Sequence, residues 1–329
     1  MAVVVSGSIA FDCILTFAGR FSDHIIPGST HILNLSFLVE TFERRRGGVA
    51  GNYAYTLALL GHPAAVLATA GADAAGYRAW LESLSVDVSG LAILEDAATA
   101  TGFTTTDLDD NQITGYYGGA MMQAAMLGLA DTVGDPEAVI IGPNHPAAML
   151  RLVRECRERG IPWIFDPSHQ LPHLSAEELE EGSRGAWVLI GNDYEMELIQ
   201  QRTRRDVVGL LRWSDVVVTT RGRHGSRLAT RDGTVEVQAA PAGTVVDPTG
   251  AGDAYRSGLL AGLLRGLDLE RAGRVASTAA SFVVEQTGTM EHRYSLDDLA
   301  GRYELAYGEQ LPEGFRRVAV PVGSAETAG

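Results

Sequence analysis

Short β-branched runs alternating with amphipathic stretches dominate the chain. Val3–Val5 stops at Ser6-Gly7-Ser8, which reads as a buried strand feeding a loop. From Asp12 to Arg46 the hydrophobic period falls to two, and stretches such as His31-Ile32-Leu33-Asn34-Leu35 read as half-exposed strands. Gly47-Gly48 opens a helix over Ala50–Leu60, closed by Gly61; a strand at Ala64–Ala70 and a helix at Ala74–Leu84 follow. The two-residue period returns at Thr99–Thr106 and Gln112–Tyr117 around the polar turn Asp107–Asn111, which predicts a β-hairpin. Beyond it, strands at Ala138–Ile141, Trp163–Phe165, Trp187–Ile190 and Val216–Thr219 alternate with helices at Pro146–Arg159, Ala176–Glu181 and Asp193–Gln200. A late hairpin, Arg227–Thr230 with Thr234–Gln238, precedes helices at Gly250–Arg265, Leu269–Glu285 and Leu296–Tyr307.

This alternation implies a mostly parallel sheet covered by helices on both faces, an α/β fold with three α/β/α layers. Residues 1–11, 47–96 and 121–309 would form its body. Segments 12–46 and 97–120 would form a small β lid, and 310–329, rich in Gly, Pro and Ala, a loose tail. Met121, Met122 and Met126 read as core residues at helical spacing.

Composition narrows the chemistry. The 329 residues are 46% hydrophobic, ample for a large core, and the net charge of −15 argues against nucleic acid and anionic membrane as partners. Every one of the 26 basic residues is arginine. Without lysine there is no Schiff-base or pyridoxal-phosphate chemistry and no phosphate-binding loop ending in Gly-Lys-Ser/Thr. Phosphate would have to be handled by backbone amides, arginine and metal. Cys13 and Cys156 make no disulfide framework. Met1–Ala10 lacks a basic flank and runs into Asp12, so it reads as a core strand rather than a signal peptide; a cytoplasmic setting is expected. His169 and His173 are separated by Pro172, and the other histidines form no ligand spacing.

Candidate chemistry concentrates in Val245-Val246-Asp247-Pro248-Thr249-Gly250-Ala251-Gly252-Asp253. Gly250, Ala251 and Gly252 let amides at a helix start approach an anion, with the helix dipole in support. Asp253 is either a surface acid complementing that dipole or the acceptor of a proton from an attacking hydroxyl. Asp12 lies just past a strand end, and Asn52 follows Gly47-Gly48 at a helix start. A carboxylate and an amide suit the vicinal hydroxyls of a sugar; singly, Asp12 reads as a turn former, Gly47-Gly48 as a hinge and Asn52 as a surface amide. Asp166, in Phe165-Asp166-Pro167-Ser168, either joins a magnesium network or caps a turn. Arg44-Arg45-Arg46 either clamps phosphate or edges the lid, and adjacent Glu43 favours the edge.

Gly7-Ser8-x3-Asp12, Gly47-Gly48-x3-Asn52, Asn192-x2-Glu195, Thr220-x-Gly222-x2-Gly225 and Asp247-x-Thr-Gly-Ala-Gly-Asp253 occur in that order. The set resembles the ribokinase family, the PfkB-type carbohydrate and nucleoside kinases, over most of the chain. The resemblance implies a ribokinase-like sandwich with Asp253 as catalytic base and Gly250, Ala251 and Gly252 as an anion hole for the γ-phosphoryl of ATP. Asp12, Gly47, Gly48 and Asn52 would hold the acceptor. Asn192 and Glu195 would organise Mg2+ and phosphate through water, while Thr220, Gly222 and Gly225 would border the nucleotide. Asp247 would lie near the monovalent-cation (K+) site of many members. Two positions depart from the family: Ser277 stands where many members set Asn against adenine, and Gln286 where potassium-using members often have Arg.

Arg20-Phe21-Ser22-Asp23-His24-Ile25, His31-Ile32-Leu33-Asn34, Thr106–Thr114 and Asp247–Arg256 further resemble bacterial proteins called adenosine kinases. The implied acceptor is therefore adenosine through a primary hydroxyl, with ribose, fructose or a related sugar as the alternative. Phe17, Phe21, Phe37, Phe103, Tyr116 and Tyr117 would supply a wall for a base, or merely hold the lid in place. The protein would be a monomer or a homodimer through that lid. A catalytically silent sensor is opposed by intact Asp253. A dinucleotide-dependent oxidoreductase is opposed by Gly7-Ser8-Ile9-Ala10, which lacks the required glycine pattern.

Overall fold

The computed structural model describes residues 2–25, 35–132 and 134–315. Of the expected strand at His31–Leu35 only Leu35 is among them, and the tail beyond Phe315 lies outside them.

Valine- and isoleucine-rich runs form the body sheet because both of its faces are covered. In chain order it contains β1 (Val3–Ser6), β4 (Ala64–Gly71), β5 (Leu91–Leu94), β8 (Ala138–Ile141), β9 (Trp163–Phe165), β10 (Val188–Asn192), β11 (Val216–Thr220), β12 (Ser226–Ala229) and β13 (Thr234–Val237). Their spatial order is β13-β12-β11-β10-β9-β8-β1-β4-β5; β12 pairs antiparallel with both β11 and β13 and alone runs against the others, which are parallel. β5 was not legible as a strand, since Leu91–Leu94 is a short apolar stretch with no period.

Side chains of β1 alternate between two cores. Val3 and Val5 pack with α1 (Val49–Leu59), α2 (Ala75–Ser83), α7 (Ala251–Leu264), α8 (Leu269–Val283) and α9 (Leu296–Tyr307). Val4 faces α3 (Pro146–Arg159), α4 (Ala176–Ser183), α5 (Asp193–Thr203) and α6 (Val207–Leu210). Leu311 and Phe315 are buried in the first core, so packing continues past residue 309, where a loose tail was expected to start. Met121 is buried in the 3₁₀ turn Gly119–Met126, but Met122 and Met126 are exposed, against the expectation of a methionine core.

A second, four-stranded sheet has the order β3-β2-β6-β7: β3 (Thr41–Gly47), β2 (Ala10–Thr16), β6 (Ala100–Thr106) and β7 (Gln112–Tyr117). β2 and β6 pair in parallel; the outer pairs are antiparallel hairpin partners. Three arginines fasten β3 to the body. Arg44 lies 3.6 Å over the Phe11 ring and pairs with Asp73, Arg46 sits 4.4 Å over Trp80, and Arg45 donates to the Thr287 carbonyl at 2.7 Å.

The close approach of α7 to α8 sets the position of everything at the start of α7. A Cβ on Gly258 would lie 2.7 Å from Ala276 Cα, and one on Gly262 2.9 Å from Ala272 Cα. Gly258→Leu is therefore expected to cost about 1–3 kcal/mol through overpacking. Urea unfolding should show a lowered midpoint; an unchanged one would mean the helices do not rely on this contact.

Candidate active site

Asp12, expected just past a strand end, lies inside β2 of the small sheet; Ser8 follows β1, Asp166 follows β9, Asn192 ends β10 and Thr220 ends β11. These are the C-terminal ends of parallel strands, where open α/β sheets bind ligands. The first turns of α1 and α7 arrive at the same edge.

α1 reaches it through a turn at Gly48, whose φ is +86°. A Cβ there would stand 2.5 Å from the Ser8 carbonyl oxygen and 2.6 Å from the Ala10 nitrogen, so only glycine fits. One turn later Asn52, which is buried, donates from Nδ2 to Asp253 Oδ2 at 2.6 Å. Its Oδ1 is buried with no partner among the described residues. α7 opens at Gly250 (φ +82°), with no side chain capping it. The amides of Gly252 and Asp253 meet no protein acceptor among the described residues. Two unshared amides and a helix dipole make an anion-binding corner.

Burial raises the Asp253 carboxyl to about 6, and Asp166 adds to the rise; Arg256, the Asn52 amide and His169 act against it. A carboxylate near neutral pH in its affinity for protons can accept one from an alcohol and release it again.

Asp12 occupies a space carved by missing side chains. A Cβ on Gly47 would collide with its carboxylate, and one on Gly102 would lie 3.4 Å from Oδ1. Its pKa is raised, first by burial and then by Asp247. No hydrogen-bond donor of the described residues reaches it, so its oxygens are left for a ligand. Register places Asp12, Gly102 and Tyr116 side by side on one face of the small sheet.

The remaining sequence candidates are less alike than their motifs suggest. Asn192 and Glu195 cap α5 reciprocally, each side chain accepting the other's amide at 2.8 Å. Glu195 also accepts from Ser168 Oγ at 2.9 Å, and Ser168 adopts φ +31°, a conformation side chains resist. Register sets Thr220 beside Asn192. Gly222 lies open in the β11–β12 turn, whereas Gly225 packs its backbone against Val237 and Ala239. Asp247 accepts the amides of Thr249 at 2.9 Å and Gly288 at 3.0 Å. Burial would raise its carboxyl, but those donors and Arg45 outweigh burial and hold it low. Asp247 thus joins two loops. Ser277 Oγ accepts the Ala240 amide at 2.8 Å, which occupies the hydroxyl with backbone; Gln286 is exposed.

No group of three or more His, Cys, Asp or Glu among the described residues converges as a metal site. The donor set therefore does not fit a protein-chelated ion.

Arg256, Tyr53 and Gly102 have no site role in the sequence, and Asp166 only that of a magnesium network or a turn cap. Arg256 and Asp166 form a buried ion pair, with Nη2 2.7 Å from Oδ1, and the Tyr53 hydroxyl donates to Asp166 at 2.6 Å. Gly102 could have been suspected as a glycine inside a strand run. Of the aromatic wall, Phe17, Phe21 and Phe37 pack on one another with centroids 4.5–5.8 Å apart, and Phe103 and Tyr117 lie on the face opposite Asp12. Only Tyr116 shares that face.

The sequence profile of the pfkB family carbohydrate kinases matches residues 3–294. A nucleoside kinase of Methanothermobacter thermautotrophicus is 33% identical over 85% of this chain and 91% of its own. An ATP-dependent ribose-1-phosphate kinase of Halopiger xanaduensis is 28% identical over 74% and 81%. The nucleoside kinase of Burkholderia thailandensis in complex with inosine superposes with a TM-score of 0.85 at 37% identity, covering 94% of this chain and 99% of that one. The same kinase has been solved in complex with ADP-inosine, where the TM-score is 0.82 at 38% identity, over 94% and 97%.

The Asn52–Asp253 bond makes a measurable prediction. Its amide favours the carboxylate, so Asn52→Ala should raise the Asp253 titration above 6, followed by carbon-13 NMR of the carboxyl. A raised pKa binds the proton more tightly in the folded state. Wild-type stability should thus decline as pH rises from the ordinary carboxylate value near 4 through about 6, a decline that Asp253→Asn removes. Identical pH–stability curves for the two proteins would contradict the placement of Asp253.

Proposed function

Because the chain belongs to the pfkB family of carbohydrate kinases, which phosphorylate a sugar or nucleoside hydroxyl with ATP, we propose that its acceptor is a nucleoside, taken at the primary hydroxyl of the ribose. The observation that carries this reading is the pairing of Asp12 with Tyr116. A carboxylate with no protein donor among the described residues suits vicinal ribose hydroxyls, and the half-exposed ring beside it suits a base. The related kinase from Burkholderia thailandensis in complex with inosine supports it. Adenosine is the expected preference, from the wording of the lid and of Asp247–Arg256.

In this mechanism Asp253, ionised above about pH 6, takes the proton from the ribose hydroxyl as its oxygen attacks the γ-phosphorus. Asn52 holds the carboxylate in line, and its unpartnered Oδ1 can accept a ribose hydroxyl. The free amides of Gly252 and Asp253, reached through Gly250 and Ala251, receive the phosphoryl oxygens. Gly47 and Gly48 keep the sugar pocket open around Asp12. Asn192, Thr220, Gly222 and Gly225 border the nucleotide along the ends of β10 and β11. Mg2+ arriving with ATP would neutralise phosphate charge, and Glu195 would hold its hydration shell. The four-stranded sheet is assigned as the lid over the acceptor. Its outer face, with Phe42, Phe103, Ile113 and Tyr117 exposed, is assigned to contact with the lid of a second copy.

Asp253→Asn should lower kcat by about 10²–10⁴-fold with little change in acceptor affinity. Asp12→Ala should raise KM for the nucleoside and leave KM for ATP nearly unchanged, at a cost of about 1–3 kcal/mol. The decisive experiment compares kcat/KM for adenosine, inosine, ribose and fructose under identical ATP and magnesium. A sugar value well above every nucleoside would overturn the nucleoside reading and leave the kinase intact.

A further inference from the structure

Arg256 carries its charge where a helix least accommodates it. The side chain leaves the second turn of α7 and runs back toward the N-terminus, as helical side chains do. There its guanidinium lies against Gly252, where a Cβ would stand 2.6 Å from Nη1. The N-terminal end of a helix already bears about half a positive charge, so a cation placed there is repelled. Arg256 is nonetheless only 5% exposed. Burial works against its charge, but Asp166, with Tyr53, Asp253 and Glu195 beyond it, holds the guanidinium firmly protonated.

The three nitrogens divide the work unequally. Nη2 donates to Asp166 Oδ1 at 2.7 Å, while Nε is ion-paired with Oδ2 without hydrogen-bond geometry. Nη2 also lies 3.7 Å from Glu195 Oε2. Nη1 donates to no protein acceptor among the described residues and is the nitrogen nearest Gly252. An arginine clamped along one edge, with its other nitrogen free beside unshared amides, is arranged to meet an anion. The sequence offers a reason for this arrangement: with no lysine in the chain, no ammonium group can meet a phosphate.

We propose that Arg256 Nη1 donates to the transferred phosphoryl group, and that Asp166, itself held by Tyr53, is the positioning residue that fixes it there. The proposal rests on the kinase reading and adds a side-chain cation to the backbone amides. As the acceptor oxygen bonds to the γ-phosphorus and the bridge to the β-phosphate breaks, the hydroxyl proton passes to Asp253. The bridging electrons leave with ADP. Arg256 keeps its protons throughout and binds the equatorial oxygens more tightly as charge redistributes over them.

The test uses full-length protein with Arg256→Met, Arg256→Lys and the double variant Arg256→Met/Asp166→Asn. The double variant removes both charges and so leaves no lone buried carboxylate to unfold the protein. Turnover is measured as ADP release with the best nucleoside. Calorimetry compares a non-hydrolysable ATP analogue with ADP. Arg256→Met and the double variant should each lose kcat on the order of 10²–10³-fold, with the nucleoside KM little changed. The preference for the triphosphate analogue over ADP should shrink in both, and Arg256→Lys should recover part of each effect. A double variant turning over at the wild-type rate, or an unchanged preference for the triphosphate analogue, would overturn the proposal. Failure of the kinase reading is distinct: wild-type protein would release no ADP with any acceptor, and the calorimetric preference would still decide on Arg256.

Discussion

Two helix N-termini meet at a hydrogen bond from Asn52 of α1 to Asp253 of α7, with Ser257 donating to the Tyr53 carbonyl one turn on. Each terminus brings a partial positive charge, and Arg256 adds a full one. Such a concentration of like charge holds together only because carboxylates surround it. Asp253 stands on α7 itself, Asp166 and Glu195 flank the guanidinium, and Asp12 of the second sheet lies against Gly47 at the entry to α1. Asp166 and Glu195 spend their hydrogen-bonding capacity on Arg256, the Tyr53 and Ser168 hydroxyls and the Asn192 amide. Asp12 and Asp253 keep oxygens free, and they are the two that the proposed chemistry uses. The balance of charge therefore separates the acids that hold the site together from those that act in it.

The geometry behind that balance is steric. Gly258 and Gly262 let α7 sink onto α8, and Gly48 lets α1 pass under the Ser8 carbonyl. Gly252 leaves room for the Arg256 guanidinium, and Gly47 and Gly102 leave room for the Asp12 carboxylate. In each case a side chain would occupy the place that a functional group needs.

Much of the architecture was legible because it rests on period. β-branched runs separated by amphipathic stretches mark the body strands and helices, and a two-residue period marks β6 and β7. Asp253 and its glycines were legible as a candidate because nearly bare residues at a helix start leave the amides open to an anion. Arg256 was not: an arginine among apolar helix positions looks like an ordinary surface residue until β9 is known to place Asp166 opposite it. The capping role of Asn192 and Glu195 matches the spacing of a capping box, and the same spacing also suited a phosphate site. The aromatic residues misled in part. Composition placed six rings in the lid segments, but Phe17, Phe21 and Phe37 pack on one another outside the strands, and of the three on strands register sets only Tyr116 beside Asp12.

The strands of the small sheet join the body at one end only. Ala10 is level with Gly47 and Ala100, and Thr101 with Tyr117, while Thr16, Thr41, Thr106 and Gln112 make up the far edge. At the near end Ser8 donates its amide to Pro143 at 3.1 Å, and Ala120 donates to Ala98 at 2.9 Å. Mechanically this is a cantilever clamped across its full width, with no single pivot about which it could swing. A loaded cantilever deflects least beside its support and most at its tip. Asp12 and Tyr116 stand beside the support, so they keep their spacing to the body while the outer rows bend. Serving as the proposed lid, such a sheet would admit bulky molecules at its tip and still measure them against a fixed gauge at its root.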